Sequence, residues 1–418
     1  MSSTRAPFRA SYALAAIAIA VSIATAACGS TATTSAQAAN PTPSASRTPT
    51  AGAATTSHAS PSSAASAPSA TSAKPTATTP SEAASTPVPP PSFGNPDGHA
   101  PVPLAARAAD TSHPTTVVGD GTAAGCTSAA VVAAVAKGGV ITFSCGPAPV
   151  VITMSATAKV VNTSQRVVLD GGGKVTLSGG GQRRILYMNT CDQAQTWITS
   201  HCQNQSTPQL TLQNITFANG DSTGQQAYGG GGGAVFASGG RLAIVNARFV
   251  ANRCDSTGPD LGGAAVRALE QWQNQPVYVV DSTFGGAPGQ GGVCSNGGAL
   301  SSIGVSWDVI NCVMSYNKAI GNGANPAAPG TPGGGSGGAI YTDGDDYTVT
   351  IAGTRIDHNT ANEGGGALFY VSNNRTGTLT IHDSTLSANV NDKFSTDGYP
   401  GVFFLGSGQP AVSGSTLE

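Results

Sequence analysis

Three carboxylates crowd one short stretch, "YTDGDDYT", where Asp343, Asp345 and Asp346 fall within a single turn. Oxygen ligands at that density suit a hard cation such as Ca2+. The stretch lacks the glycine and distal glutamate of a recognised calcium loop, so a solvated acidic turn is the competing reading. Glycoside hydrolysis would ask for two carboxyl groups at a defined separation. Asp345 and Asp346 are adjacent, and neighbours on a strand point to opposite faces. A second chemical candidate, "GGGGGAVF" from Gly229 to Phe236, offers free amides to an anion. A phosphate loop also wants a following Lys and Ser or Thr, and neither is present.

The elements that would position these groups have an unusual composition. The 418-residue chain carries 55 glycines and only 10% charged residues, too few for helices laced with ion pairs. A formal net charge of −2 leaves no basic footprint for nucleic acid. Arg5 and Arg9 precede an apolar run, Tyr12 to Ala27, with the layout of a secretory signal peptide. Cys28 follows two alanines, as at a lipoprotein signal where the cysteine is acylated, although Thr25 stands where leucine is usual. Cleavage near Ala26 without lipid is the alternative. Residues 28–112 are almost entirely Ala, Ser, Thr and Pro and are expected to be a disordered spacer, because so little apolar surface cannot offset chain entropy. The expected product is an extracellular domain, residues 113–418, held at the cell surface by one lipidated terminus that tethers it without spanning the bilayer.

Within that domain the glycine stretch recurs. The tetrapeptides Gly232-Gly233-Ala234-Val235, Gly262-Gly263-Ala264-Ala265, Gly297-Gly298-Ala299-Leu300, Gly337-Gly338-Ala339-Ile340 and Gly365-Gly366-Ala367-Leu368 set their alanines 30, 35, 40 and 28 residues apart. A loose period of this size indicates a solenoid. Between them runs a column of Asn214, Asn246, Asp281, Asn311, Gly353, Asp383 and Gly414, the residue types that enter the left-handed region most cheaply. Three positions on stand Phe217, Phe249, Phe284, Met314, Ile356, Leu386 and Leu417, all large and apolar. Before each bend, apolar residues alternate with a spacing of two, as in Leu242 and Ile244 or Trp307 and Val309. Short strands, one bend per repeat and stacked columns predict an all-β fold, a parallel β-helix of eight or nine coils.

The alternating GGA[ILV] and FxxN signatures, the latter complete at Phe249 to Asn252 and persisting through Asn317, Asn359 and Asn389, resemble those of polymorphic outer-membrane proteins within the pectin-lyase-like group. FxxN fails at Phe217 and Phe284, where Gly220 and Ala287 stand instead, so the resemblance, which spans about residues 210–418, does not extend to every coil. It implies a right-handed β-helix with a small helical cap at its N-terminal end. Hydrolases of the group use Asn-Thr-Asp, His-Gly and Arg-Ile-Lys triplets, none of which occurs here. Its lyases use carboxylate-bound calcium and an arginine base, for which Arg267 or Arg375 beside Asp343 are the cations available.

"CTSAAVVAAVAKGG" reads as the expected capping helix, followed by the strand "VITFS". No second cap follows "GSTL" at the other end, where an open coil, a covering chain or a cut sequence are the alternatives. Cys126 and Cys145 flank the cap, Cys191 and Cys202 bracket a loop, and Cys254 and Cys294 occupy the same sector of successive coils, which suggests three disulfides and an inert, buried Cys312. Loops between the FxxN position and the next glycine pair vary most, with 11, 9, 9, 19, 5 and 11 residues. That ridge carries Asp255, Asp260, Gln290, Asn322, Asn325, Glu363, Asn391, Lys393, Asp397 and Tyr399. Polar and aromatic side chains beside a flat sheet suit an extended cell-wall or host polysaccharide, or a surface protein. The expected function is a non-catalytic adhesin or glycan-binding module. A lyase or hydrolase of acidic polysaccharide, with Ca2+ as its cofactor, and a passive wall component are the alternatives.

Overall fold

The computed structural model describes residues 93–196, 202–226 and 230–418. The signal segment, Cys28 and the spacer up to residue 92 lie outside the described residues. From Phe93 on, the chain is built from short strands in all-parallel sheets, which stack to form a parallel β-helix. Among the described residues, sheet I has ten strands, sheet II nine, sheet III eight and sheet IV four. One coil shows the order: Ile340–Asp343 in sheet III, Thr348–Ala352 in sheet I, Arg355–Asp357 in sheet II and Thr360–Ala361 in sheet IV.

The bends follow from residue type. Asn214, Asn246, Asp281, Asn311, Gly353, Asp383 and Gly414 all sit between sheets I and II with φ between +48° and +58°. Entry into sheet III uses glycine at φ +53° to +73°, at Gly232, Gly263, Gly297, Gly337 and Gly365. A Cβ on Gly338, the second glycine of its pair, would lie 2.1 Å from the Gly366 carbonyl oxygen of the next coil. The glycine run is therefore a corner that lets coils approach closely.

Register corrects two alignments read from the sequence. Val235 pairs with Val266, which sets Gly263-Ala264-Ala265-Val266, not Gly262-Gly263-Ala264-Ala265, beside Gly232-Gly233-Ala234-Val235. The neighbouring pair Val266 and Leu300 confirms the shift, with Ala264 standing where other coils have their second glycine. In the coil holding Phe284 the chain loops out, and Gly292, not Ala287, takes the asparagine position: its N–H donates to Asn317 Oδ1 at 2.9 Å. Fixed spacing fails at both places because inserted residues leave the coil without disturbing its strands.

The core lies inside the coils. Leu210, Leu242, Val277, Trp307, Val349 and Leu379 stack within sheet I, and Phe217, Phe249, Phe284, Met314, Ile356 and Leu386 within sheet II, all buried. The phenylalanine rings stack at 5.2 and 4.7 Å between centroids. Trp307 donates its Nε1–H to Ser302 Oγ at 2.9 Å, a core residue with its polar edge satisfied. Beside this apolar column runs a polar one. Asn317 and Asn359 donate their side-chain amides to Asn359 and Asn389 Oδ1, each at 2.9 Å. The same oxygens accept the backbone N–H of Asn317 and Asn359 at 2.9 and 3.1 Å. Turn amides hidden from water are satisfied by the coil above.

Helix α1, Ser128–Lys137, closes the N-terminal end. Thr127 caps it by accepting from the Ala130 N–H, Gly138 ends it at φ +75°, and Val131, Ala134 and Val135 face the core. Disulfides join Cys126–Cys145, Cys191–Cys202 and Cys254–Cys294, while Cys312 is free and buried, with its thiol pushed up to about 12 by desolvation.

Residues 93–112 depart from the expected spacer. They run back along the corner between sheets I and II, bonded to the bend column. The N–H groups of Phe93 and Ala100 donate to Asn246 and Asn311 Oδ1 at 2.8 and 2.9 Å, and Ala109 and Gln213 exchange a pair of bonds at 2.8 and 3.0 Å. Ala100, Ala106 and Val102 cover Val245, Val280, Ile310 and Ala352. The domain boundary thus moves from residue 113 to at least residue 93, because side chains presented by the coils supply the partners that this polar segment lacks by itself.

Two outcomes are expected. Asn359→Ala removes hydrogen bonds to two neighbouring coils and leaves buried partners unsatisfied, lowering stability by about 3 kcal/mol in chemical denaturation. A chain beginning at Phe93 should unfold like the full chain. One beginning at 113 should lose at least about 2 kcal/mol and bind more hydrophobic dye, and equal stability would show the docked segment to be dispensable.

Candidate functional site

On each sheet III strand, residues alternate between core and outer face. The outer face presents two registered columns. The first reads Tyr187, Phe236, Arg267, Ser301, Tyr341, Phe369 and Phe403, and the second Asn189, Ser238, Leu269, Ile303 and Asp343. The variable ridge flanks the face on one side. The connections to sheet I, including residues 190–196, 202–208 and 270–276, flank it on the other.

Two aromatic stacks occupy the first column, and every ring in them but that of Phe403 is buried. Tyr187 lies 5.4 Å from Phe236, and Tyr341, Phe369 and Phe403 follow one another at 5.1 and 5.0 Å. Between them Arg267 donates to Ser301 Oγ at 3.0 Å, and its Nε has no partner. Arg184 lies 5.0 Å over the Phe236 ring and donates to the carbonyls of Gly231 and Gly232 at 2.7 and 3.0 Å. Arg184 and Arg267 are 1% and 3% exposed, and among the described residues neither meets a carboxylate at ion-pair distance. Desolvation therefore pulls each down to about 10, with Tyr341 and Asp260 opposing the shift at Arg267. Two cavities open here. One of about 450 Å3 is lined by Gln203, Ser238, Arg267, Leu269, Glu270 and Ile303, and one of about 190 Å3 by Thr157, Lys159, Arg184, Tyr187 and Gln225.

Farther along the face, Asn325 gathers the residues singled out in the sequence. Its amide donates to Asp260 Oδ1, Tyr341 Oη and Asp343 Oδ2 at 2.8, 2.9 and 3.0 Å. Asp343 Oδ1 accepts from the Gly344 N–H at 2.7 Å and the Asn373 amide at 3.1 Å. Burial raises the Asp343 carboxyl above its ordinary value, the bonds from Gly344, Asn373 and Tyr341 oppose this, and the charge of Asp260 adds to it. Burial and the charge of Asp343 likewise raise Tyr341.

The remaining sequence candidates divide. Glu363 is buried, accepts from the Gly323 N–H and pairs with Lys393 at 2.7 Å, so both brace the ridge. Asp255 is buried and accepts from the Gly224 N–H at 3.0 Å. Gln290 accepts from Arg248, Asn391 donates to the Phe394 carbonyl, and Tyr399 rests against the core. Asn322 pairs through its backbone with Gly333, while Asp397 and Arg375 are exposed.

The three-carboxylate turn does not form a metal centre. Asp343 faces the Asn325 cluster while Asp345 and Asp346 are exposed, and among the described residues no three His, Cys, Asp or Glu side chains are placed to share an ion. Asp343 ends a strand and the other two follow Gly344, at φ +139°, which turns the chain away. No helix among the described residues is long and apolar enough to cross a membrane. Comparison with protein-family models, with curated proteins and with solved structures finds no match to the chain.

Arg184, Tyr187, Phe236 and Glu270 went unmarked in the sequence. Phe236 stands just after a GGA[ILV] aliphatic, the position that register shows to be the outer column; Tyr187 pairs with it although no GGA precedes it, and Arg184 and Glu270 lie outside that position. The shifted alignment at Gly262 hid Arg267 from that column.

Asp343 supplies a pH test. Its folded-state value is raised, so the folded state holds the proton more tightly than the unfolded one, and its contribution is lost as pH rises through the raised value. As pH rises above the ordinary carboxylate range, about 4, the stability of the wild type should fall relative to Asp343→Asn. Parallel curves for the two would show that Asp343 titrates normally.

Proposed function

We propose that this chain is a lipid-anchored extracellular β-helix protein of the polymorphic-outer-membrane-protein type, within the pectin-lyase-like group, that binds glycans at the cell surface without catalysis. The observation that carries the reading is the outer face of sheet III. Hydrogen-bonding groups and two cavities lie along one row of strands, above mostly buried aromatic rings and flanked by loops on both sides. Successive strands are spaced about 4.8 Å apart, so the row runs on as a polymer does and suits an extended chain better than a compact ligand. The secretory signal, Cys28 and the spacer to residue 92 support display away from the membrane.

One observation favours hydrolysis as a second reading. Asp260 and Asp343 each place an oxygen within 3.0 Å of the Asn325 amide nitrogen, so these oxygens are less than about 6 Å apart. Asn325 fills the space between them, where a scissile bond would have to lie. Binding is the better-supported function.

A chain beginning at Phe93 should bind a subset of immobilised glycans, and a screen negative for every glycan and host-matrix protein would sink the reading. In the native cell, Cys28→Ala should release the protein into the medium. Hydrolysis or lyase action would appear as new reducing ends or unsaturated products abolished by Asp260→Asn or Asp343→Asn, and none are expected.

A further inference from the structure

A net charge of −2 conceals an uneven distribution of charge along the β-helix. Residues 113–253 hold nine Lys and Arg against four Asp, a balance of +5, whereas residues 254–418 hold five against fourteen Asp and Glu, a balance of −9. In the docked segment, Arg107 and Asp110 cancel beside the first half, and Asp97 lies beside the second. All four ion pairs among the described residues fall in the acidic half. Lys137, Arg166, Lys174 and Arg183 of the basic half therefore meet no described carboxylate at ion-pair distance.

The basic residues gather toward the end closed by helix α1. Lys137 ends that helix, Lys159 lies on the terminal strand of sheet III, and Arg166 and Lys174 belong to the next coil. Lys137, Arg166 and Lys174 are exposed. The terminal strands of sheets I and II present Val117 and Val151, 50% and 65% exposed. Coils rise about 4.8 Å each, so these groups lie within about 10 Å of the end, close to one Debye length in physiological salt. Asp343 stands five strands farther along sheet III, about 24 Å away, and its charge is screened from whatever the capped end meets.

From this arrangement we infer that the capped end of the β-helix docks on an anionic lipid surface, that of the bilayer carrying the anchor. The inference rests on the lipid-anchored reading. Headgroup phosphates supply the opposite charge that Lys137, Arg166 and Lys174 do not meet within the domain, and Val117 and Val151 enter the headgroup layer beside them. The 64 residues from 29 to 92 keep the domain within about 230 Å of the bilayer even at full extension, so a weak contact suffices. The same surface repels the acidic coils. The domain then stands on its capped end, and the row of sheet III strands rises away from the membrane.

The test is sedimentation of residues 29–418, which lack the acylated cysteine, with phosphatidylcholine vesicles containing about 30% phosphatidylglycerol or none. The chain should bind the anionic vesicles at about 50 mM salt, release them as salt rises to about 300 mM, and ignore the neutral ones. Lys137→Gln with Lys174→Gln should weaken binding about 10- to 30-fold. Lys318→Gln with Arg375→Gln, an equal change of net charge in the acidic half, should leave it unchanged. All four side chains are exposed, so neither pair disturbs the core. Equal losses from the two pairs, equal binding to neutral vesicles, or no binding to anionic ones at low salt would overturn the docking. Full displacement by soluble polyphosphate at the same phosphate concentration would overturn it too, assigning the end to a phosphate polymer of the cell wall. Each of these outcomes leaves the anchored reading standing if Cys28→Ala still releases the protein from the cell. Retention of that variant by cells washed in salt that strips the vesicles sinks both.

Discussion

Each coil must turn its corners without leaving a buried amide or carbonyl unpaired, and the rest of the molecule depends on that requirement. Strands only two to five residues long separate the bends. A bend in water could rely on solvent, but one pressed between two coils cannot. Asn and Asp resolve both difficulties at the corner of sheets I and II, entering the left-handed region while offering side-chain groups along the axis. Asn246 donates to Asn214, and Asn214 to Asp170, at 2.9 and 3.0 Å. Between sheets II and IV the tasks are divided: Tyr316, His358 and Ala388 enter the left-handed region, and the inner ladder of Asn317, Asn359 and Asn389 supplies the side-chain groups. Register follows, because a coil displaced by one residue would lose its ladder and turn its core face outward.

Stability therefore comes from repetition rather than charge. Only four ion pairs are found among the described residues, and two of them involve histidine. Stacked rings, hydroxyls and amides take their place. Inside the coils, Ser282, Thr354 and Ser384 accept the N–H of Ala247, Cys312 and Thr354 at 3.0 to 3.1 Å, which places Cys312 in a column of small polar residues and leaves it no route to a disulfide partner. Against such economy of charge, Arg184 and Arg267 stand out. Both lie on the outer face of sheet III, the face also bordered by the most variable loops, so the exception to the folding rule coincides with the surface least constrained by folding.

The segment from Phe93 to residue 112 adds an orientation to this surface. It occupies the corner between sheets I and II, which sheet III does not share. Bend side chains that hold the coils together also hold this segment, as when Asn311 bonds to both the N–H and the carbonyl of Ala100 at 2.9 and 3.1 Å. Residues 93–112 leave the outer face of sheet III uncovered.

The sequence by itself determined the parallel β-helix, its corner residues, its apolar columns and the capping helix. These repeat at intervals visible along the chain, and each is dictated by a local requirement of backbone conformation or burial. It did not determine which polar residues share a site. Asp260, Asn325 and Asp343 meet across three separate connections, whereas Asp345 and Asp346, next to Asp343 in sequence, turn outward. Nor could it place residues 93–112, whose composition offers no core of its own, or bring Arg267 into its column, since inserted residues shifted the apparent repeat. Those outcomes depend on which side chains neighbouring coils bring within bonding distance, and stacking fixes that distance where sequence separation does not.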